Sequence, residues 1–137
     1  MQKTLIDSGP LIALFDKSDK YHLKVLNFLK SYQGELITSL AVITEVSHML
    51  DFNLLVQIDF LKWIELGGIT IYDISQNDIK NIRVMMEKYL DIPMDLADAT
   101  LMYIASKENI KDIVSIDSDF DIYRTLKKQT LNNLLRQ

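Results

Sequence analysis

The sequence predicts an α/β fold in which a central parallel sheet is covered by helices on both faces. Short apolar runs of strand length alternate with longer segments of helical periodicity, and turn or capping residues separate them. Alternation of this kind favours right-handed crossovers between parallel strands. The chain has 137 residues, of which 48% are hydrophobic and only four are glycine. We therefore expect one globular domain over residues 1–137.

The first half of the chain contains two predicted strands and four predicted helices. Proline is tolerated in a first helical turn, so Ser8-Gly9-Pro10 can begin a helix. Ser39 is a suitable helix cap, and Gly67-Gly68 is a suitable helix end. In the second helix, Leu23 and Leu26 are expected to face inward. The predicted elements are a strand at Lys3–Asp7, a helix from Ser8, a helix at Tyr21–Ser31, a strand at Leu36–Thr38, and helices at Leu40–Leu50 and Phe52–Leu66.

The second half continues the alternation. Asp91-Ile92-Pro93 breaks one helix, because the residue before a proline disfavours helical backbone. The predicted elements are a strand at Ile69–Ile74, a helix from Ser75 or Asn77 to Tyr89, a helix at Asp95–Glu108, a strand at Ile113–Ile116, and a tail to Gln137 that is helical in part.

Composition excludes several classes of function. The formal net charge of −4 argues against generic electrostatic attraction to nucleic acid, although a local basic face can still serve. The absence of cysteine excludes disulfides, zinc–thiolate sites and thiol catalysis. It also favours a reducing compartment, and we expect a cytoplasmic protein. No uncharged apolar run approaches the ~20 residues of a membrane helix, so no membrane association is expected.

Four carboxylates lie alone in apolar segments, where an unpaired charge is costly. They are Asp7, Glu45, Asp98 and Asp117. Asp7 and Asp117 each end a predicted strand, and ligand sites of open parallel sheets lie beyond the carboxyl ends of strands. Glu45 follows the second strand within two helical turns, and Asp98 lies near the start of its helix. All four are therefore expected to converge at one edge of the sheet. Such oxygen ligands suit Mg²⁺ or Mn²⁺.

Each carboxylate also has a simpler explanation. Asp7 can cap the helix that begins at Ser8, and Asp117 can form an Asx turn or a cap. Glu45 can be a partly exposed helix residue, and Asp98 with Asp95 can complement a helix dipole. These explanations are independent of one another. A shared metal site explains all four placements together, and we prefer it for that reason.

Four short motifs, in order, resemble the PIN domain, in particular the VapC-type toxin ribonucleases. The motifs are Leu5-Ile6-Asp7-Ser8, Thr44-Glu45-Val46, Asp98-Ala99-Thr100-Leu101-Met102-Tyr103-Ile104-Ala105 and Ser115-Ile116-Asp117-Ser118-Asp119-Phe120. The resemblance implies a PIN-like three-layer α/β/α sandwich with a central parallel sheet. It also implies an endoribonuclease that depends on Mg²⁺ or Mn²⁺ and, for a toxin, a cognate antitoxin. The family's acidic quartet is matched by Asp7, Glu45, Asp98 and Asp117, with Asp95 and Asp119 as auxiliaries.

The remaining expectations concern partners. Ser8, Arg124 and Lys127 are candidate RNA contacts, although a helix-start hydroxyl and a solvated charged face are the simpler explanations. The segment Phe52–Leu66 is apolar on more than one side, which indicates either deep core or an interface with a second copy or an antitoxin. His48, three residues after Glu45, is expected to be an ordinary packed or half-exposed histidine. The alternative to the enzyme is a non-catalytic PIN-like module that binds RNA or protein.

Overall fold

The structure is a computed structural model that describes residues 1–136, and its centre is a sheet of five parallel strands. The strands are β1 (Lys3–Ile6), β2 (Glu35–Ser39), β3 (Thr70–Tyr72), β4 (Asp112–Val114) and β5 (Asn132–Asn133). Their order across the sheet is β3-β2-β1-β4-β5. Helices flank this sheet in a three-layer α/β/α arrangement. The predicted fold class is confirmed.

Between residues 1 and 136, six α-helices connect the strands. They are α1 (Ser8–Phe15), α2 (His22–Ser31), α3 (Leu40–Met49), α4 (Leu54–Glu65), α5 (Ile79–Glu87) and α6 (Leu96–Glu108). Short 3₁₀ turns occupy Gln76–Asp78, Ser118–Asp121 and Leu134–Arg136. Within residues 1–136, every helix is too short or too polar to cross a lipid bilayer.

The strand order creates a switch point beside β1. The chain builds outward from β1 through β2 to β3, and then returns to place β4 on the other side of β1. Leu5 of β1 is consequently in register with Ile37 of β2 and with Ile113 of β4. Connections that leave β1 and β4 in opposite directions open a crevice at the carboxyl ends of these strands. This crevice is where the sequence predicted the acidic site.

Helix α6 is the most deeply buried helix of the fold. Ala97 and every residue from Ala99 to Ala105 are buried, so this stretch of the helix is buried on all sides and mostly apolar. A helix with this pattern belongs in a core rather than on a surface. Asp98 is the exception, because it is only partly buried in the first turn. The Asp98 carboxylate therefore lies at the boundary between the core and the crevice.

Several predicted details differ in the structure. β4 ends at Val114, so Asp117 lies in the following loop and does not directly end the strand as predicted. The side chain of Leu23 is 68% exposed, so its inward orientation was wrong. The tail contains 3₁₀ turns and also the short strand β5, which the sequence did not predict. Two consecutive asparagines carry no strand propensity, and only their pairing with β4 makes them a strand.

Helix α4 is divided between core and surface. Phe60 is fully buried, and its ring contacts the ring of Phe15 with centroids 5.3 Å apart. Trp63 is half-buried, and its ring contacts the ring of Phe15 with centroids 5.4 Å apart. Four aliphatic side chains of the helix are exposed, namely Leu54, Leu55, Ile58 and Leu61, whereas Val56 and Ile64 are partly buried against the core. The aromatic residues thus belong to the core side, and the deep-core explanation holds for them but not for the whole helix.

Replacing the buried ring of α4 is expected to destabilise the fold. Phe60→Ala should lower the free energy of unfolding by about 3–5 kcal/mol, because it leaves a cavity among side chains that cannot fully collapse. Leu23→Ala, at a leucine of α2 that is 68% exposed, should change it by less than about 0.5 kcal/mol. Urea unfolding of both variants measures the difference. Equal, small effects would contradict the placement of Phe60 in the core.

Candidate metal centre

Asp7 is a buried carboxylate at the carboxyl end of β1. Its backbone N–H donates to the carbonyl of Val114 at 3.0 Å, so the ladder between β1 and β4 continues through Asp7. The side chain accepts a hydrogen bond from the Ser115 hydroxyl at 3.1 Å. It makes no capping hydrogen bond to α1, although Asp7 immediately precedes that helix. The simpler explanation of Asp7 as a helix cap is therefore wrong.

Asp98 lies in the first turn of α6, and Asp95 is the cap of that helix. The Asp95 carboxylate accepts a hydrogen bond from the backbone N–H of Asp98 at 2.8 Å. The buried hydroxyl of Thr100 contacts the Ser39 hydroxyl at 2.7 Å, which fixes this end of α6 against the end of β2. The two acids thus divide their roles. Asp95 satisfies the helix terminus, and the Asp98 carboxylate lies at the crevice.

Asp117 lies in the loop between β4 and the 3₁₀ turn at Ser118–Asp121. One carboxylate oxygen accepts a hydrogen bond from the backbone N–H of Asp119 at 2.9 Å, so the predicted cap is present. The backbone N–H of Asp117 donates to the Ser115 hydroxyl at 3.0 Å. The second carboxylate oxygen is not used by the cap. Capping and metal binding are therefore compatible at this residue.

Three of the four predicted acids converge. One oxygen each from Asp7, Asp98 and Asp117 lie within 4.8 Å of one another. Asp7 is buried, whereas Asp98 and Asp117 are partly accessible to solvent, so the cluster has an inner and an outer side. A donor set made only of carboxylate oxygens fits a hard divalent cation such as Mg²⁺ or Mn²⁺. The residues present therefore fit the ion that the sequence predicted.

Glu45 stands beside this cluster and is held by a hydroxyl. Its Oε1 accepts a hydrogen bond from the Ser8 hydroxyl at 3.0 Å, which connects α3 to the first turn of α1. Glu45 is outside the group of three oxygens, but its charge contributes to raising the pKa of both Asp7 and Asp98. It is therefore the fourth member of the negative site, at the margin. Its half-buried position also agrees with the simpler expectation of a partly exposed helix residue.

The carboxylates of the cluster are desolvated and close together, and both conditions disfavour their ionised forms. Burial, with the nearby charges of Asp117 and Glu45, raises the pKa of Asp7 from 3.8 to about 6. Burial also raises the pKa of Asp98 from 3.8 to about 8, and the charges of Asp7 and Asp95 add to this effect. Like charges in a partly desolvated site disfavour one another's ionised forms. A divalent cation removes this penalty and is the natural counter-charge.

The other predicted contacts lie farther away. Lys127 lies beside Asn109 at the carboxyl end of α6, about 16 Å along the helix from Asp98. Arg124 donates to the carbonyl of Ile122 at 2.8 Å and lines an open pocket with Lys111, which precedes β4. Lys127 therefore lies at the end of α6 opposite Asp98, whereas the Arg124 guanidinium is bonded to backbone carbonyls at the end of the Ser118–Asp121 turn.

The nearer candidates have local partners. Ser8 donates to Glu45, and the Asp119 backbone N–H donates to Asp117. Asp119 itself is outside the group of three oxygens. His48 is exposed on α3, which differs from the packed or half-exposed environment that we expected.

Ser115 is a site residue that the sequence analysis missed. Its hydroxyl donates to Asp7 and accepts from the backbone N–H of Asp117, so it connects two of the three clustered acids. Ser115 is 1% exposed. A serine in the apolar run Ile113-Val114-Ser115-Ile116 was the available signal. A buried hydroxyl next to a candidate acid has to find a polar partner.

Comparisons with known proteins place this geometry in context. A protein-family model described as the PIN domain matches residues 4–126. The crystal structure of VapC20 from Mycobacterium tuberculosis, a toxin that cleaves the sarcin-ricin loop, is similar with a TM-score of 0.78 and 16% sequence identity. That similarity covers 87% of this chain and 93% of that chain.

A second solved structure is similar over nearly the whole chain. It is VapBC2 from Rickettsia felis bound to a DNA fragment from their promoter, with a TM-score of 0.65 and 16% identity. The similarity covers 96% of this chain and 98% of that chain. At these identities the two structures support the fold. Among curated protein sequences, none is significantly similar to the chain.

The crowded carboxylates predict a specific pH dependence of stability without metal. Asp7 and Asp98 bind protons more tightly in the folded chain, with pKa values of about 6 and about 8, than at their ordinary value of 3.8. Their contribution to stability is thus full below pH ~4 and is lost as the pH rises to about 8. Asp98→Asn should flatten the loss between about pH 6 and 8, and should melt above wild type at pH 8.

Thermal melts in EDTA from pH 5 to 9 measure this effect. Asp59→Asn, an exposed carboxylate on α4, is the matched control and should follow wild type at every pH. Addition of Mg²⁺ should raise the melting temperature of wild type but not of Asp98→Asn. Parallel curves of melting temperature against pH for wild type and Asp98→Asn would show that ionisation of Asp98 does not destabilise the fold.

Proposed function

The chain belongs to the PIN domain family, and on this premise we propose that it is a divalent-metal-dependent endoribonuclease that hydrolyses RNA phosphodiester bonds. The observation that carries the proposal is the convergence of Asp7, Asp98 and Asp117 within 4.8 Å at the switch point of the sheet. Acids gathered only to cap helices would have no reason to meet there. Their mutual repulsion is a cost to the fold that a bound cation removes.

Asp7, Asp98 and Asp117 would hold the Mg²⁺ or Mn²⁺ ion. When bound there, the ion would neutralise charge on the scissile phosphate and acidify the attacking water. Asp7 supplies the inner ligand, since it is buried and oriented by the Ser115 hydroxyl. Asp98 and Asp117 supply ligands on the accessible side, where a phosphate can approach.

Glu45 has a separate role in this proposal. It is outside the group of three but close enough to influence the pKa values of Asp7 and Asp98. The Ser8 hydroxyl holds its carboxylate in one orientation. We assign Glu45 to orienting water in front of the phosphate, or to a second ion if the site takes two. Ser8 is thereby a supporting residue for Glu45 rather than a direct RNA contact.

The toxin assignment is a further part of the proposal. VapC20 is a toxin that cleaves the sarcin-ricin loop, and VapBC2 was solved with a promoter DNA fragment. We propose that this chain is likewise the toxin of a toxin–antitoxin pair, with RNA as substrate and a cognate antitoxin as partner. We also propose a homodimer. The support for a protein partner is the exposed aliphatic side of α4, formed by Leu54, Leu55, Ile58 and Leu61.

Loss of a metal ligand is expected to abolish cleavage without unfolding the chain. Asp7→Asn and Asp98→Asn keep the side-chain shape but remove charge that holds the ion, so RNA cleavage should fall at least about a hundredfold. Asp59→Asn should cleave RNA like wild type. Cleavage of a labelled RNA with Mg²⁺, Mn²⁺ or EDTA, with folding checked by circular dichroism, measures these effects.

Two results would contradict the enzyme proposal. Full cleavage by both ligand variants in metal-depleted buffer would remove the metal-dependent mechanism. Metal binding by wild type with no cleavage across a panel of structured and single-stranded RNAs would instead favour the non-catalytic binding module.

Self-association through α4 is expected to be sensitive to one charge. Leu55 is 70% exposed, and Leu55→Asp should weaken a dimer formed on this side at least about tenfold, because it places a carboxylate in an apolar contact. Leu23→Asp, at a similarly exposed leucine on α2, is the matched control and should leave the dimer intact. Sedimentation velocity over a concentration series distinguishes them. A monomeric wild type at all concentrations would contradict the homodimer.

A further inference from the structure

Asn133 is a buried polar side chain on the last strand, and it is 9% exposed. Its Oδ1 accepts hydrogen bonds from the backbone N–H groups of Ser115 at 3.3 Å and Leu135 at 3.2 Å. Its Nδ2 donates to the carbonyl of Ser115 at 2.9 Å. The Asn133 side chain therefore binds both the backbone N–H and the backbone carbonyl of Ser115. The two ends of the amide are distinguished by their partners, because N–H groups only donate and a carbonyl only accepts.

These hydrogen bonds join the chain after β4 to β5, beyond the last residues that the two strands pair. Asp112 pairs with Asn132 and Ile113 with Asn133, and there β5 ends. The chain then turns into Leu134–Arg136, so no strand backbone remains to pair with Ser115. Buried peptide groups left without partners are costly. The Asn133 amide replaces the missing strand and fixes the backbone of Ser115.

Ser115 connects the Asn133 side chain to two of the clustered acids. Its hydroxyl donates to the Asp7 carboxylate at 3.1 Å and accepts from the backbone N–H of Asp117 at 3.0 Å. Asp7 is anchored by the ladder between β1 and β4, whereas Asp117 lies in a loop and is partly accessible. Repulsion among the carboxylates therefore acts mainly to push the Asp117 loop outward. A fixed Ser115 opposes that movement.

We propose that Asn133 is a positioning residue for the metal site, acting through Ser115 to hold Asp117 within reach of the ion that Asp7 and Asp98 bind. The inference rests on the proposed function, since it assumes that the three acids bind a divalent ion. It makes the final strand part of the site. Strand β5 supplies no ligand, but it fixes the loop that carries Asp117 relative to Asp7, which follows β1, and Asp98, which lies on α6. Partners that orient metal ligands are typically worth a factor of 10–100 in metal affinity.

The test measures Mn²⁺ binding directly, from the electron paramagnetic resonance signal of free Mn²⁺. Asn133→Ala should raise the dissociation constant at least about tenfold, and Ser115→Ala should do the same. Because Asn133 acts through Ser115, the double variant should have about the same Mn²⁺ dissociation constant as the single variant that binds more weakly. The two losses of affinity should not multiply. Asn132→Ala, on the same strand but exposed, should stay within about twofold of wild type.

Thermal melts in EDTA separate positioning from a merely structural role. A lower melting temperature for Asn133→Ala with an unchanged dissociation constant, measured where the variant is folded, would overturn the inference. Multiplicative losses in the double variant would overturn the route through Ser115. If Asn133→Ala does not fold, Asn133→Ser, which retains a hydroxyl in the buried position, is compared in the same way. Wild type that binds no Mn²⁺ would sink the proposed function itself, and the inference with it.

Discussion

Repulsion among carboxylates at the switch point of the sheet is the constraint on which the rest of the site depends. Three acids present oxygens within 4.8 Å of one another, and a fourth stands at the margin. The fold keeps them there with neutral donors rather than with cations. The Ser115 hydroxyl contacts Asp7, the Ser8 hydroxyl contacts Glu45, and the backbone N–H of Asp119 contacts Asp117. Such donors orient carboxylates while leaving their charge available to an added ion.

The negative charge of the acids also determines the order of binding in the proposed reaction. An RNA phosphate is repelled by ionised acids, so it gains access to the site only after their charge has been neutralised. Of the two basic candidate RNA contacts, Lys127 lies at the end of α6 far from Asp98, and the Arg124 guanidinium donates to the carbonyls of Asp121 and Ile122. Lys127 is therefore suited to contact a distant part of an RNA rather than the scissile phosphate. A bound divalent ion would supply positive charge at the acids themselves.

The sequence predicted the clustered acids better than it predicted the residues that hold them in place. Asp7, Asp98 and Asp117 were recognisable because a charge inside an apolar run needs a special reason. The role of Asn133 was not recognisable, since it depends on β5 ending before it reaches the position opposite Ser115, and that follows only from the register of the sheet. Leu23 was misplaced for a related reason. Periodicity gives the faces of a helix, but packing decides which apolar residue at the edge of a face is buried.

The most direct test of the central claim is the position of a metal ion in crystals grown with Mn²⁺, located by anomalous scattering. The account predicts a peak bound by one oxygen each of Asp7, Asp98 and Asp117, at about 2.1 Å from each, as expected for a small hard cation. It also predicts that the peak disappears in Asp98→Asn crystals. An ion bound elsewhere on the protein, with these three carboxylates left uncoordinated at saturating Mn²⁺, would contradict the claim.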